Sequence, residues 1–228
     1  MIESFKPQYN ATLRPLARIL LTLHIHPNAI TVFSLILFFI AGWLTGIDQW
    51  IAACIAILVG SGMDGLDGVV AREGRCQTTF GAILDSSLDR MAEILWISGV
   101  MFYYTQHPLT GIANAGVYLA FLALTGSIMI SYVKARCEGA GIVCKEGILQ
   151  RPERLIVICL SLLLGPKAMP WGLGIIALVG YATVIQRLRV AYREGARKDC
   201  GVRIAESKKP ELQSLSASEL QRGKTLCL

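Results

Sequence analysis

At 228 residues, with 54% hydrophobic and only 17% charged side chains, the chain is too apolar for an ordinary soluble domain and points to an integral membrane protein. Its net charge of +6 reads as basic membrane-flanking loops and attraction to anionic lipid, and no nucleic-acid partner is expected. The seven cysteines are scattered without a CxxC pair, so neither a thiolate zinc site nor a disulfide framework is supported.

In chain order, residues 2–25 are expected to form an amphipathic helix lying at the membrane interface. Leu13, Leu16, Ala17, Leu20 and Leu21 line one face, with Arg14 and Arg18 off it. Pro27 breaks this helix, and Asn28 serves as N-cap of a first span, 28–46. Further spans are expected at 50–70, 79–104, 112–133, 154–164 (with a lead-in from Pro152) and 170–188. The predicted fold is all-α: one membrane domain over 1–197, with six transmembrane helices behind the interfacial helix, followed by a polar tail at 198–228.

Six spans put both termini on one side. Twenty of the 22 Lys and Arg residues fall before the first span, in the 72–75 loop, between 134 and 154, or from Arg187 onward. The positive-inside rule then makes that side cytoplasmic. Only Lys167 stands alone on the opposite face, and Arg90 lies within the third span.

Four aspartates interrupt this apolar pattern. Asp64 and Asp67 sit at i,i+3 near the end of the second span; Gly81, Asp85 and Asp89 sit at i,i+4,i+8 at the start of the third. Ionisable residues at membrane depth mark function, and clustered carboxylates repel one another unless a cation lies between them. No histidine accompanies them, so the site suits a hard divalent ion, Mg²⁺ or Mn²⁺. Gly65, Gly68 and Gly81 leave room for a bulky ligand, and Arg72 offers a phosphate partner. Two such ions could clamp a pyrophosphate, while a carboxylate left free deprotonates an attacking hydroxyl. A structural set of ion pairs and a cation transporter are the competing readings. The aspartates' place near one membrane face, beside glycines and an arginine, favours anchoring an anionic ligand.

The whole pattern D-x2-D-G-x2-A-R-x8-G-x3-D-x3-D is present as Asp64, Asp67, Gly68, Ala71, Arg72, Gly81, Asp85 and Asp89, eight fixed positions over 26 residues. It resembles the CDP-alcohol phosphotransferases, six-helix homodimeric membrane enzymes that displace CMP from a CDP-linked lipid with an alcohol. The resemblance implies metal binding by Asp64, Asp67 and Asp85, with Asp89 shared between metal binding and the general-base role. It implies contacts to the CDP group from Gly68, Ala71, Arg72, Thr78 and Gly81, with Asn28 and Thr31 near the pyrophosphate.

Lys134, Arg136, Arg151, Arg154 and Arg187 fall on the same membrane side, where they could converge on a phosphate carried by the acceptor. The segments Tyr132-Val-Lys-Ala-Arg136 and Arg151-Pro-Glu-Arg154-Leu are similar to those of the phosphatidylinositol phosphate synthase branch and its archaeal-lipid counterpart. Inositol phosphate is therefore the expected acceptor. Glycerol-3-phosphate, the acceptor of phosphatidylglycerophosphate synthases, needs similar charge and stays open.

Overall fold

The computed structural model describes residues 6–107, 115–142 and 151–196, with side chains of 6–12 and 151–152 left aside. The described residues form seven helices and no strand: α1 (Lys6–Thr22), α2 (Pro27–Gly46), α3 (Trp50–Glu73), α4 (Thr79–Gln106), α5 (Gly116–Gly139), α6 (Arg151–Leu164) and α7 (Met169–Ala196). The expected start of the fourth span at Ile112 and the tail at 198–228 lie outside them.

Four helices, α2, α3, α5 and α7, are long and apolar enough to cross a membrane. α4 has the length, but Asp85, Asp89, Arg90 and Glu93 lower its apolar character. α6 is only 14 residues long, short of the ~20 that span a hydrocarbon core.

The start of α2 differs from the sequence expectation. His26, not Asn28, is the N-cap: its backbone is extended and its Nδ1 accepts from the Asn28 N–H at 3.3 Å. Pro27 takes the first helical position, where its missing N–H costs nothing. Asn28 is thereby released from capping. α7 also runs past residue 188 to Ala196, because the Arg189–Ala196 stretch holds no Gly or Pro before Gly195 to stop it.

α2 shows how the bundle sorts its surfaces. Ile30, Thr31, Ser34, Phe38, Ala41 and Thr45 face inward, while Phe33, Ile36, Ile40 and Trp43 are exposed on the opposite stripe. An apolar stripe of that length is costly in water and natural in lipid. The main core joins Phe38, Trp50, Ile57, Trp96, Val100, Ala120, Ala123, Leu162 and Leu173 from α2 through α7. α2 and α4 cross at Gly42 and Gly99, where a Cβ on Gly99 would overlap the Gly42 backbone. A second, smaller core under α1 packs Ala17 against Ile30, Leu66, Val69 and Val70.

Tight turns bring α3 and α4 alongside. α3 ends at Gly74, Arg75 adopts a left-handed backbone (φ 50°), and the Cys76 N–H returns to the Ala71 carbonyl at 3.1 Å. Thr78 then caps α4, its Oγ1 accepting from the Gly81 N–H at 2.9 Å. This hairpin sets the two aspartate stripes face to face.

Candidate active site

The spacing on each helix decides which carboxylates meet. Asp64 and Asp67 lie on one face of α3, and Asp85 lies on the facing stripe of α4, two turns in from the Thr78 cap. Carboxylate oxygens of these three residues all fall within 4.8 Å of one another. Opposite ligands of an octahedral Mg²⁺ site stand ~4.2 Å apart, so the set is close to closed around a small cation. Asp67 is buried at 6% exposure; Asp64 and Asp85 are half-buried. The donors are all oxygen, the chemistry Mg²⁺ and Mn²⁺ prefer. The residues present therefore fit a divalent metal. Asp89, one turn further along α4, is outside that trio and has the Arg90 guanidinium at 3.2 Å. The same Arg90 nitrogen donates to the Ser86 carbonyl at 2.6 Å.

The residues expected around the CDP group gather at the same end. The Arg72 guanidinium folds back over Gly68, where an added Cβ would sit 3.4 Å from its Nη1. The starts of α2 and α4 meet at Gly81: a Cβ there would lie 3.0 Å from Thr78 Oγ1 and 3.3 Å from Asn28 Oδ1. Ala71 is half-buried on α3. Thr31 is placed differently from its neighbours. It is buried at 6% exposure, and its hydroxyl donates to Asp67 Oδ2 at 2.6 Å. That bond occupies one carboxylate oxygen and fixes the rotation of the most buried aspartate.

The basic residues divide. Arg154 of α6 is buried at 9% exposure and its Nη1 lies 3.0 Å from Glu93 Oε1. The same Nη1 donates to Ser127 Oγ of α5, and Ser127 donates in turn to Glu93 at 2.9 Å. Arg187 of α7 donates to the Ile130 carbonyl at 2.7 Å, one turn of α5 beyond Ser127. Lys134 comes one turn later, exposed, 3.8 Å from Glu138. Arg136 is nine residues from Ser127, two and a half turns, and so lies on the opposite side of α5. Arg151 opens α6, its side chain outside the described residues. Glu93 and Ser127 are not among the residues the sequence points to. Glu93 carries a signal, since it continues the Asp85–Asp89 stripe by one more turn. Ser127 carries none, because only helix packing brings it there.

Residues 24–186 match the model of the CDP-alcohol phosphatidyltransferase family, and the chain belongs to that family. An archaetidylinositol phosphate synthase of Methanothermobacter thermautotrophicus is 41% identical over 138 residues, 58% of this chain and 66% of that protein. One of Pyrococcus horikoshii is 31% identical over 189 residues, 82% of this chain and 95% of its own length. Among solved structures, phosphatidylinositol phosphate synthase of Mycobacterium tuberculosis in complex with manganese and citrate superposes with a TM-score of 0.73 at 28% identity, covering 79% of this chain and 88% of that one. The same enzyme with CDP-DAG bound gives 0.72, with 79% and 93% covered. The chain is a membrane-embedded CDP-alcohol phosphotransferase of the phosphatidylinositol phosphate synthase-like type.

Proposed function

We propose that this enzyme transfers the phosphatidyl-type group of a CDP-linked lipid to inositol phosphate, releasing CMP. The observation that carries the reading is the Asp64–Asp67–Asp85 oxygen cluster, set beside Arg72 at the end of α3 where α2 and α4 also begin. The names of the relatives, inositol phosphate synthases of archaeal and bacterial lipids, support the acceptor.

Asp64, Asp67, Asp85 and Asp89 would hold two divalent ions, Mg²⁺ or Mn²⁺. Bound there, such ions neutralise the pyrophosphate and stabilise charge on the departing CMP oxygen. Asn28, Gly68, Ala71, Arg72, Thr78 and Gly81 bind the CDP group: Arg72 pairs with phosphate, and the glycines admit it close to the backbone. Thr31 supports from behind, through Asp67. Asp89 takes the proton from the acceptor hydroxyl as its oxygen bonds to the lipid-bearing phosphorus. The bond from that phosphorus to the CMP oxygen breaks, and CMP leaves. Arg154 and Arg187, with Lys134 and Arg151 nearby on the same side, hold the acceptor's own phosphate. Arg136 is set apart from them on α5.

In this reading α2 to α7 are six spans, α1 lies in the interface, and the unit at 1–197 assembles as a homodimer with residues 198–228 as an appended tail. Active site and termini face the cytoplasm, where the soluble acceptor reaches a lipid held in the bilayer.

The test is CMP release from one CDP-lipid offered inositol phosphate, glycerol-3-phosphate or inositol, with Mg²⁺ or Mn²⁺. Turnover is expected with inositol phosphate; preference for glycerol-3-phosphate would reassign the acceptor. Asp89→Asn is expected to lower kcat by ~10²–10⁴-fold, and intact turnover would remove it as the base.

A further inference from the structure

Arg154 carries a feature that acceptor binding alone does not explain. Among the described residues, its guanidinium is held from one side only. Nη1 serves both Glu93 Oε1, at 3.0 Å, and Ser127 Oγ, while Nε is buried and has no hydrogen-bond partner among the described residues. A guanidinium offers five N–H donors in a planar fork, and a phosphate is best received on two adjacent ones. Burying a donor without a partner is unfavourable, and sites that do so are ready for an acceptor atom.

Glu93 and Ser127 come from different helices, α4 and α5, and they close a three-way network with the arginine of α6. Ser127 accepts from Arg154 and donates to both carboxylate oxygens of Glu93 at 2.9 Å. Glu93 is one turn from Asp89 on the same stripe of α4. Its carboxylate is thus tied to the helix that carries two of the four aspartates.

We propose that Glu93 and Ser127 are positioning residues for the acceptor: they grip Arg154 through Nη1 so that its Nε side is presented to the acceptor phosphate. The proposal rests on the assignment of Arg154 to that phosphate. Its consequence is specificity, since a guanidinium fixed in this way favours acceptors that bring a phosphate dianion over those bearing only hydroxyls.

The test compares Arg154→Ala, Glu93→Gln, Ser127→Ala and the double variant Glu93→Gln/Arg154→Ala in the full-length enzyme at saturating Mn²⁺. KM for inositol phosphate, KM for the CDP-lipid and kcat are measured for each. Glu93→Gln is expected to raise the inositol phosphate KM about tenfold, the worth of one charge-assisted hydrogen bond, with the CDP-lipid KM unchanged within about twofold. The double variant is expected to be no worse than Arg154→Ala, because Glu93 acts through Arg154. Additive losses, or equal changes in both KM values, would show a merely structural role and overturn the proposal. Where Glu93→Gln does not fold, Ser127→Ala decides by the same comparison, since it keeps the ion pair and removes only the hydroxyl. If Arg154→Ala leaves the inositol phosphate KM unmoved, the acceptor assignment itself fails. If Arg154→Ala raises it and neither Glu93→Gln nor Ser127→Ala does, only the positioning proposal fails.

Discussion

Thr31 shows how much one hydroxyl can decide. Its motif position suggests contact with the pyrophosphate, yet its Oγ1 is buried and spends its proton on Asp67. Losing a group that orients a metal ligand typically costs 10–100-fold in metal affinity. Thr31→Val keeps the shape and removes the donor, so the Mn²⁺ concentration for half-maximal activity is expected to rise ~10-fold, with direct Mn²⁺ binding by calorimetry moving in parallel. Thr31→Ser is expected to restore both. A raised CDP-lipid KM with unchanged Mn²⁺ affinity would return Thr31 to the substrate instead. Gly81 makes the complementary case on the substrate side. A methyl there must displace Thr78 Oγ1 or Asn28 Oδ1, so Gly81→Ala is expected to raise the CDP-lipid KM several-fold, roughly 1 kcal/mol of crowding, without changing Mn²⁺ affinity.

Among the helices, α2 and α4 form a closely approaching pair. They cross at Gly42 and Gly99 with backbone against backbone, and Gly46 meets the Phe102 ring further along. No flexible side chain is available to yield at the crossing. Gly99→Ala is therefore expected to destabilise the protein by ~1–3 kcal/mol, seen as a lower thermal midpoint in detergent, whereas an alanine at Gly62, which meets nothing within 4 Å, is expected to be neutral. Much at this scale is legible in the sequence. The aspartate stripes come from i,i+3 and i,i+4 spacing, and α4 starts at Thr79 where the third span is expected, although Thr78 enters the sequence reading as a CDP contact and not as a cap. The cap of α2 is not legible, because Asn is the commoner N-cap, yet Pro27 suits the first helical position and moves the cap back to His26. Nor is the Glu93–Ser127–Arg154 network. It joins residues 34 and 61 positions from Glu93, and helical periodicity carries no information about which helices pack together.

Across the whole molecule, the apolar outer stripes and the site at one end of the bundle make a single arrangement. The Asp64, Asp67 and Asp85 carboxylates lie beside the start of α4, and the sequence expectation puts Lys134 on their membrane side and Lys167, in the α6–α7 turn, on the other. If the positive-inside assignment holds, a cysteine at position 75 is labelled by a membrane-impermeant maleimide only after the membrane is opened, and one at position 167 in intact cells; the native cysteines are first replaced by alanine or serine. The reverse pattern would invert the topology. Removal of divalent ions with EDTA is expected to abolish CMP release, and readdition of Mn²⁺ or Mg²⁺ to restore it, without loss of helical circular dichroism. The main core is apolar helix packing and includes none of Asp64, Asp67 and Asp85, so loss of an ion bound there is not expected to unfold the helices.

α4 carries Asp85, Asp89 and Glu93 on successive turns of one stripe. Each residue added to a helix rotates the rest of it by ~100°. Inserting or deleting one residue between Leu84 and Glu93 would swing part of that stripe away from its partners on α3, α5 and α6 at once. The N-terminal half of this helix is thus constrained in length as strictly as in composition. Its C-terminal half, from Trp96 to Gln106, carries packing side chains instead, and the same rotation there would turn Val100, Tyr103 and Tyr104 out of the core. Natural length variation in chains of this fold is accordingly expected in the α4–α5 connection and beyond, and not between the aspartates.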